Sequence, residues 1–300
     1  MRARPRISTE ATLVAVLAAT LGWAQSPPRP KTPEVLVPGS RGSKPAKPPK
    51  QSGLQVARLV ILGTGVEKAA EGGVFKSVND GERLRTGERV RTGPGALARI
   101  QLPWMALTLG AESALFIPPS TILSAVLEAG RAELQAEGDD LLKLRTPEAE
   151  VRGRGHVVVR RTGTTTLVMA MTGAFRVETT KGLVLSVAQG QGVLAPAQGS
   201  PDGPNDLPAP PASVYPGEDP VYLKRGAEVA LRFTSPYKRH HVQVMAFDGG
   251  EIVVDRDVGV SPQSLRVPWL GTWRVRLSSV DERGLEGAPA VTGYVVVVDQ

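Results

Sequence analysis

The sequence predicts an all-β fold, because short apolar segments alternate with turns rich in glycine and proline along most of its length. Segments such as Leu107–Leu109 and Val157–Val159 are too short for a helix that packs along one face. The glycines at positions 110, 130, 153, 173 and 190 are spaced by 20, 23, 20 and 17 residues, about the length of a two-strand unit. This rhythm indicates a sandwich or roll built from hairpins, without long helices.

The pattern is clearest from Leu84 to Leu102, where short apolar pulses are interrupted by three glycines. A helix is disfavoured here, because each interior glycine would cost about 1 kcal/mol relative to alanine. A strand–turn–strand is predicted instead, with Pro94 fixing its own φ in the turn and Gly93 or Gly95 at positive φ. Alternate residues from Ala96 to Leu102 should then share one face of the second strand.

The first 24 residues have the pattern of a secretory signal peptide, predicted to be cleaved after Ala24. A basic start precedes an apolar run from Ala11 to Trp23, which ends in small residues. This run is shorter than the roughly 20 residues that span a bilayer, and no later run is longer. The mature protein is therefore expected to have no transmembrane span and to reside in the periplasm or on the cell surface of a bacterium. An uncleaved anchor is the alternative.

Residues 25–53 are predicted to be a disordered, Pro/Lys-rich linker that acts as an extended tether. The net charge of +7 arises entirely in residues 1–50, which hold nine basic and two acidic side chains. The remaining 250 residues hold 27 of each sign, so a basic nucleic-acid-binding surface is not expected. Attraction of the linker to anionic envelope polymers is the alternative to a plain spacer.

Two β modules follow, one at 54–197 and a smaller one at 221–300, joined by a Pro/Gly-rich linker at 198–220 that should lack regular structure. The second module has six predicted strands with Pro/Gly corners, the size of an immunoglobulin-like or fibronectin type III-like sandwich. Trp273 is expected to anchor its core. The chain contains no cysteine, which excludes disulfides, thiol catalysis and thiolate metal sites.

Two segments of the first module resemble the signature of the FecR domain. Residues 87–93 match a "G-x-x-(apolar)-x-T-G" turn that leads into a strand, and Leu144–Gly153 resembles the "TP-x-A-x-(apolar)-x-G" segment. The chain departs from the family at two turns, Pro103–Met105 and Gly153–His156. The resemblance implies a jelly-roll-like FecR β-sandwich, followed here by the smaller immunoglobulin-like β-sandwich.

No residue is predicted to be catalytic, to bind a cofactor or to ligate a metal. Because neighbouring side chains on a strand point to opposite faces, His240 and His241 cannot share one ion, and a surface residue beside a core residue is expected. His156 has no nucleophile nearby in the sequence. The acidic pairs at 139–140 and 255–257 are expected at hairpin ends, where such residues favour turns, and a weak Ca²⁺ site is the alternative.

These features predict a non-enzymatic envelope protein, a FecR-domain binding or scaffolding module that contacts a protein or cell-wall partner. The alternative is a soluble periplasmic sensor component of a FecR-type signalling system that acts through another membrane protein. Trp104 and Trp269, the latter with Arg266 nearby, are the candidate partner-binding residues, since aromatic and arginine side chains often anchor interfaces. Both tryptophans could instead cap the ends of their sandwiches.

Overall fold

The all-β prediction is confirmed by the computed structural model, which describes residues 55–62, 65–101, 105–119, 125–136, 142–217, 219–247, 252–267 and 269–299. These residues form strands and turns, with no helix among them and therefore none that could cross a membrane. The predicted signal peptide and the 25–53 linker lie outside the described residues.

Among the described residues of the first module, fifteen strands form one hydrogen-bonded network. They are β1 (Gln55–Leu62), β2 (Val66–Ala70), β3 (Lys76–Ser77), β4 (Arg83–Arg85), β5 (Glu88–Thr92), β6 (Leu97–Gln101), β7 (Met105–Leu109), β8 (Ala114–Phe116), β9 (Ala125–Ala136), β10 (Leu142–Arg145), β11 (Ala149–Thr162), β12 (Thr165–Thr179), β13 (Val184–Ala188), β14 (Gln191–Pro196) and β15 (Asp202–Asp206). The longest path through it runs β15-β14-β12-β11-β10-β9-β7-β6-β1-β4, and the pairings along it are antiparallel except for β9 with β10. Side chains from most of these strands meet in a single apolar core.

The Leu84–Leu102 stretch folds as predicted, with β4, β5 and β6 separated by turns. Gly95 has a φ of 70°, so it is the glycine of the 92–95 turn that needs a left-handed conformation. Ala96, Ala98 and Ile100 are buried on one face of the following strand, whereas Leu102 lies outside the described residues.

Gly95→Val should lower the free energy of unfolding by about 1–3 kcal/mol, because a β-branched residue is strained at positive φ. No atom lies within 4 Å of a Cβ built at Gly95, so the cost is one of backbone conformation alone. Gly93→Ala is the matched control: it lies two residues away without a positive φ, and its Cβ would have ordinary contacts. Urea unfolding compares the two variants, and equal stabilities would contradict the assignment of the turn.

Eight strands form the second module, arranged as two sheets around one core. They are β16 (Ala212–Tyr215), β17 (Val221–Lys224), β18 (Glu228–Thr234), β19 (Arg239–Ala246), β20 (Ile252–Val258), β21 (Gln263–Arg266), β22 (Gly271–Val280) and β23 (Ala290–Val298). The sheet orders are β16-β18-β21 and β17-β23-β22-β19-β20, an immunoglobulin-like arrangement. Trp273 is 6% exposed in the shared core, which confirms its predicted role.

The segment at 198–220 differs from the expectation that it lacks regular structure. It contains β15, which pairs with β14, and β16, which pairs with β18. Pro204 is accommodated because β15 is an edge strand with an irregular register, where a missing amide hydrogen is tolerated. The division of residues 54–300 into two separately folding domains stays a prediction.

The two modules pack against each other within one compact unit. Leu97 and Val60 of the first module contact Met245 and Ile252 of the second. Leu285, in the turn between β22 and β23, packs among Val158, Leu167 and Met169 in a second apolar contact. These two contacts lie at the boundary that we call the seam, namely the packed surface between β1–β15 and β16–β23.

Candidate functional site

A cavity of about 660 Å³ lies at the seam. Its lining comes from both modules, and consists of residues 94–95, 110–112, 130–131, 160–163, 241 and 253–257. This volume lies within the range of about 300–1,000 Å³ that is usual for small-ligand sites. The site consists of a buried charge network, the walls of the cavity and a charged rim.

Arg131 is the centre of the buried charge network. Its side chain, on β9, is only 7% exposed. The guanidinium reaches Glu286 of the second module through Nε at 3.3 Å, Glu133 of its own strand through Nη1 at 3.1 Å, and Asp255 of β20 through Nη1 at 3.8 Å. Since an unpaired buried charge is very costly, these three carboxylates and the arginine hold the two modules in one arrangement.

His241 carries the second buried cation. Its ring lies between two carboxylates of β20, with Nδ1 at 3.0 Å from Asp257 and Nε2 in ion-pair contact with Asp255. The Nε2–Asp255 contact does not have hydrogen-bond geometry. Burial alone would lower the pKa of His241, but the negative charges of Glu286 and Asp255 raise this pKa to about 10. The ring is therefore an imidazolium at neutral pH.

The pKa values of two acidic members, Asp255 and Glu133, are lowered by the network. Burial raises the pKa of Asp255, but the charges of His241 and Arg131 outweigh it and keep this pKa below its ordinary value. Burial also raises the pKa of Glu133. The hydrogen bond with His156 and the charge of Arg131 outweigh burial and lower this pKa. His156 Nε2 lies 2.9 Å from Glu133 Oε1, so this histidine is the outermost member of the network.

The segment at 87–93 shapes one wall of the cavity through Thr92. Thr92, its buried threonine, donates its hydroxyl to the carbonyl of Gly110 at 2.6 Å and accepts the amide hydrogen of Ser113 at 3.0 Å. Ser113 in turn accepts the amide hydrogen of Arg131 at 2.8 Å. A Cβ at Gly130 would lie only 2.1 Å from the Ser113 hydroxyl, which explains the glycine there. Thr92 thus fixes the 110–113 turn and, through it, the strand that carries Arg131.

The segment at 146–149 fixes a second part of the lining through its contact with Arg161. Glu148 is buried and binds Arg161 in a bidentate pair, with Nη2 to Oε1 at 2.8 Å and Nε to Oε2 at 3.0 Å. Thr166 donates its hydroxyl to the same carboxylate at 2.8 Å and contacts the hydroxyl of Thr146 at the same distance. Burial raises the pKa of Glu148, but Arg161 and Thr166 lower it by more than burial raises it. The carboxylate therefore stays charged.

The rim carries one ion pair between the modules. Arg160, at the end of β11, donates to Asp257 Oδ2 at 2.6 Å, and the two side chains are 28% and 42% exposed. Arg160 and His241 both contact Asp257, and they lower its pKa against the effect of burial. The rim therefore joins the exposed edge of the cavity to its buried network.

Sequence reasoning did not identify these residues, and it placed several of them wrongly. His240 and His241 do lie on opposite faces, but both are buried, because the second face of β19 is covered by the first module. Asp255 and Asp257 lie within β20 rather than at a hairpin end. Thr92 and Thr146 were the signal in the sequence that could have pointed to this site. Each of them lies in one of the two segments, 87–93 and 144–153, that the sequence pattern singled out.

The described residues contain no group of three or more histidine, aspartate and glutamate side chains arranged to hold a metal ion. The carboxylates around the cavity are neutralised by guanidinium and imidazolium groups instead. Asp139 and Asp140 lie outside the described residues.

Two of the predicted partner-binding residues, Trp269 and Arg266, are not part of the cavity lining. Trp269 is 43% exposed, its ring lies 6.1 Å from that of Trp273, and its carbonyl accepts the Trp273 indole hydrogen at 3.0 Å. Arg266 is exposed on β21, opposite Glu228. Trp104 lies outside the described residues. A partner-binding role for these residues stays a prediction.

Trp269→Ala should lower the free energy of unfolding by about 1 kcal/mol, the value of one exposed aromatic pair. If Trp269 anchors an interface, the variant will also lose its partner in a pull-down while remaining folded. Tyr222→Ala, at a residue that is 71% exposed, is the control for truncating a surface aromatic side chain. A loss well above 2 kcal/mol in chemical unfolding would assign Trp269 to the end of the sandwich core instead.

No protein-family model matches the sequence, and no curated protein matches it either. Among solved structures, the chain is similar to the extracellular domain of a putative one-component system from B. thetaiotaomicron, with 7% identity and a TM-score of 0.22. The similarity covers 67% of this chain and 28% of that one, so the chain matches little more than a quarter of that protein's length. A likeness this distant carries no argument about function.

Proposed function

We propose that this chain is an exported, non-enzymatic binding protein of the FecR type, which holds a protein partner at the seam cavity. The observation that carries the proposal is the construction of this cavity. Thr92 and Glu148, from the two FecR-like segments, position its walls, and β19 and β20 of the second module complete it. A binding site made jointly by two modules explains why a buried charge network fixes them together.

A binding role is favoured over catalysis by the state of the cavity's charged groups. His241 is already protonated at neutral pH and lies between two carboxylates, whereas a general base must be unprotonated near the working pH. Arg160 and Arg161 are each occupied by a carboxylate. Apart from the exposed Glu112 and Arg256, the charged groups of the cavity are thus fixed and mutually neutralised, which suits recognition of a polar ligand.

Export is the second part of the proposal. It rests on the basic–apolar–small pattern of residues 1–24. Intact-mass measurement of the protein from cells should give a chain that begins at Gln25. A mature protein that retains Met1 would contradict cleavage.

A photo-crosslinking residue at Thr162 tests the binding site directly. Thr162 is exposed and lines the cavity, so the crosslinker should capture one defined partner in cells. The same residue at Val74, which is 82% exposed and does not line the cavity, is the matched control. Equal capture from both positions, or none from Thr162, would contradict the proposal. Capture of a membrane signalling protein would favour the sensor alternative over a scaffold.

A further inference from the structure

Strand β20 forms one edge of the five-stranded sheet, and in the described part of the chain it pairs with β19 alone. The main-chain groups of an edge strand that point away from its neighbour are available to pair with another chain. On β20 these groups lie at the seam cavity.

The lining of the cavity shows which side of β20 faces it. Five consecutive residues, 253–257, line the cavity. Because side chains alternate between the two faces of a strand, one face would contribute only every second residue. A run of five is what a strand contributes when its main-chain edge borders the space.

Two of the three charges on β20, those of Asp255 and Asp257, do not protect this edge as charged residues usually do. Asp255 is buried against Arg131 and His241, and Asp257 is paired with Arg160. Their charges are thus neutralised from within the protein, and they would not repel an incoming strand. The third charge, that of Arg256, is exposed at the cavity and donates to the carbonyl of Ser264, so it stays available to an acidic side chain of the ligand.

We infer that the cavity binds an extended peptide segment of a partner protein, which adds to the sheet as a strand beside β20. This inference rests on the proposed function, because it takes the cavity as the binding site and names the form of its ligand. Five residues of β20 would contact about 17 Å of peptide at 3.4 Å per residue. Alternate side chains of the added strand would point toward the wall that holds Arg160 and Thr162, and recognition would come mainly from the main chain.

The test uses a displayed library of twelve-residue random peptides selected on the full chain. Selected peptides are then measured against two variants, Thr162→Trp and Thr164→Trp. Thr162 lines the cavity, whereas Thr164 is exposed on the same hairpin without lining it. Thr162→Trp should weaken binding by about tenfold or more through occlusion, and Thr164→Trp should leave it unchanged.

Strand addition is tested with the same peptides N-methylated at two alternate amides, which removes main-chain donors and keeps every side chain. Alternate amides of a strand point to the same side, so only one of the two alternate sets of amides would face β20. Methylation of that set should remove two hydrogen bonds and weaken binding by about tenfold or more, and methylation of the other set should weaken it less. Equal binding of all methylated forms would overturn strand addition while leaving the cavity as a binding site. Failure to select any peptide sensitive to Thr162→Trp would overturn the inference as well, whereas partner capture at Thr162 would still support the proposed function. A concentration-dependent dimer that Thr162→Trp abolishes would overturn it in favour of a second copy as the occupant.

Discussion

Arg131→Met should lower the free energy of unfolding by about 3–5 kcal/mol, because it leaves buried carboxylates without their cation. Arg131 contacts Glu133, Asp255 and Glu286, and the side chains of the last two are only 3% and 4% exposed. Methionine keeps most of the apolar volume of arginine, so the loss will report the charge rather than a cavity. Chemical unfolding of the full chain measures it.

The matched control is Arg176→Met. Arg176 also faces a glutamate on its own strand, but the two side chains are 62% and 47% exposed. Exposed pairs contribute at most about 1 kcal/mol, so this variant should be close to the parent protein. If both variants lost the same small amount, the network at the seam would not hold the modules together.

Stability should also fall as the pH rises from about 6.5 toward 10. The pKa of His241 is raised from 6.5 to about 10 in the folded protein. A group whose pKa is raised by folding stabilises the protein fully below its unfolded pKa, and this stabilisation is lost as the pH rises through the folded pKa. At about 1.36 kcal/mol for each pH unit between 6.5 and about 10, the full loss would be on the order of 5 kcal/mol.

His241→Gln isolates this effect, since it should remove the dependence on pH in this window and lower stability at neutral pH. The pKa of His240 is lowered by burial, against its hydrogen bond to Gly259, so that residue changes charge below the window and does not contribute. Unfolding midpoints measured at intervals from pH 6 to 10 give the comparison. Parallel curves for the parent protein and the variant would contradict an imidazolium at the seam.

The elements that could be predicted well from the sequence are those determined by a few neighbouring residues. A glycine at positive φ, one buried face on the strand after it, and a tryptophan within an alternating strand are all decided within a few residues, as at Gly95, Ala98 and Trp273. The burial of Leu97, on the other face of that strand, depends instead on its contact with the second module. The all-β class follows from many such local patterns.

The candidate site could not be predicted in this way, because its members come from distant parts of the chain. Arg131 and Glu286 lie 155 residues apart, and nothing near either of them marks it as buried. In a strand where charged residues alternate with apolar ones, the charged residues indicate the face that is exposed to solvent. That rule fails at His241 and Asp255, where the outer face of one module is covered by the other. The strands at 202–206 and 212–215 were missed for a related reason, since their pairing depends on neighbouring strands rather than on their own composition.

The central claim is that a partner binds at the seam cavity beside β20. Hydrogen exchange of the full chain, alone and with the partner captured at Thr162, tests it most directly. Binding should slow exchange in residues 252–258 and 160–163 and leave residues 269–274 unchanged. Protection confined to 269–274, with β20 exchanging at the same rate in both states, would contradict the claim and place the partner on the exposed tryptophan instead.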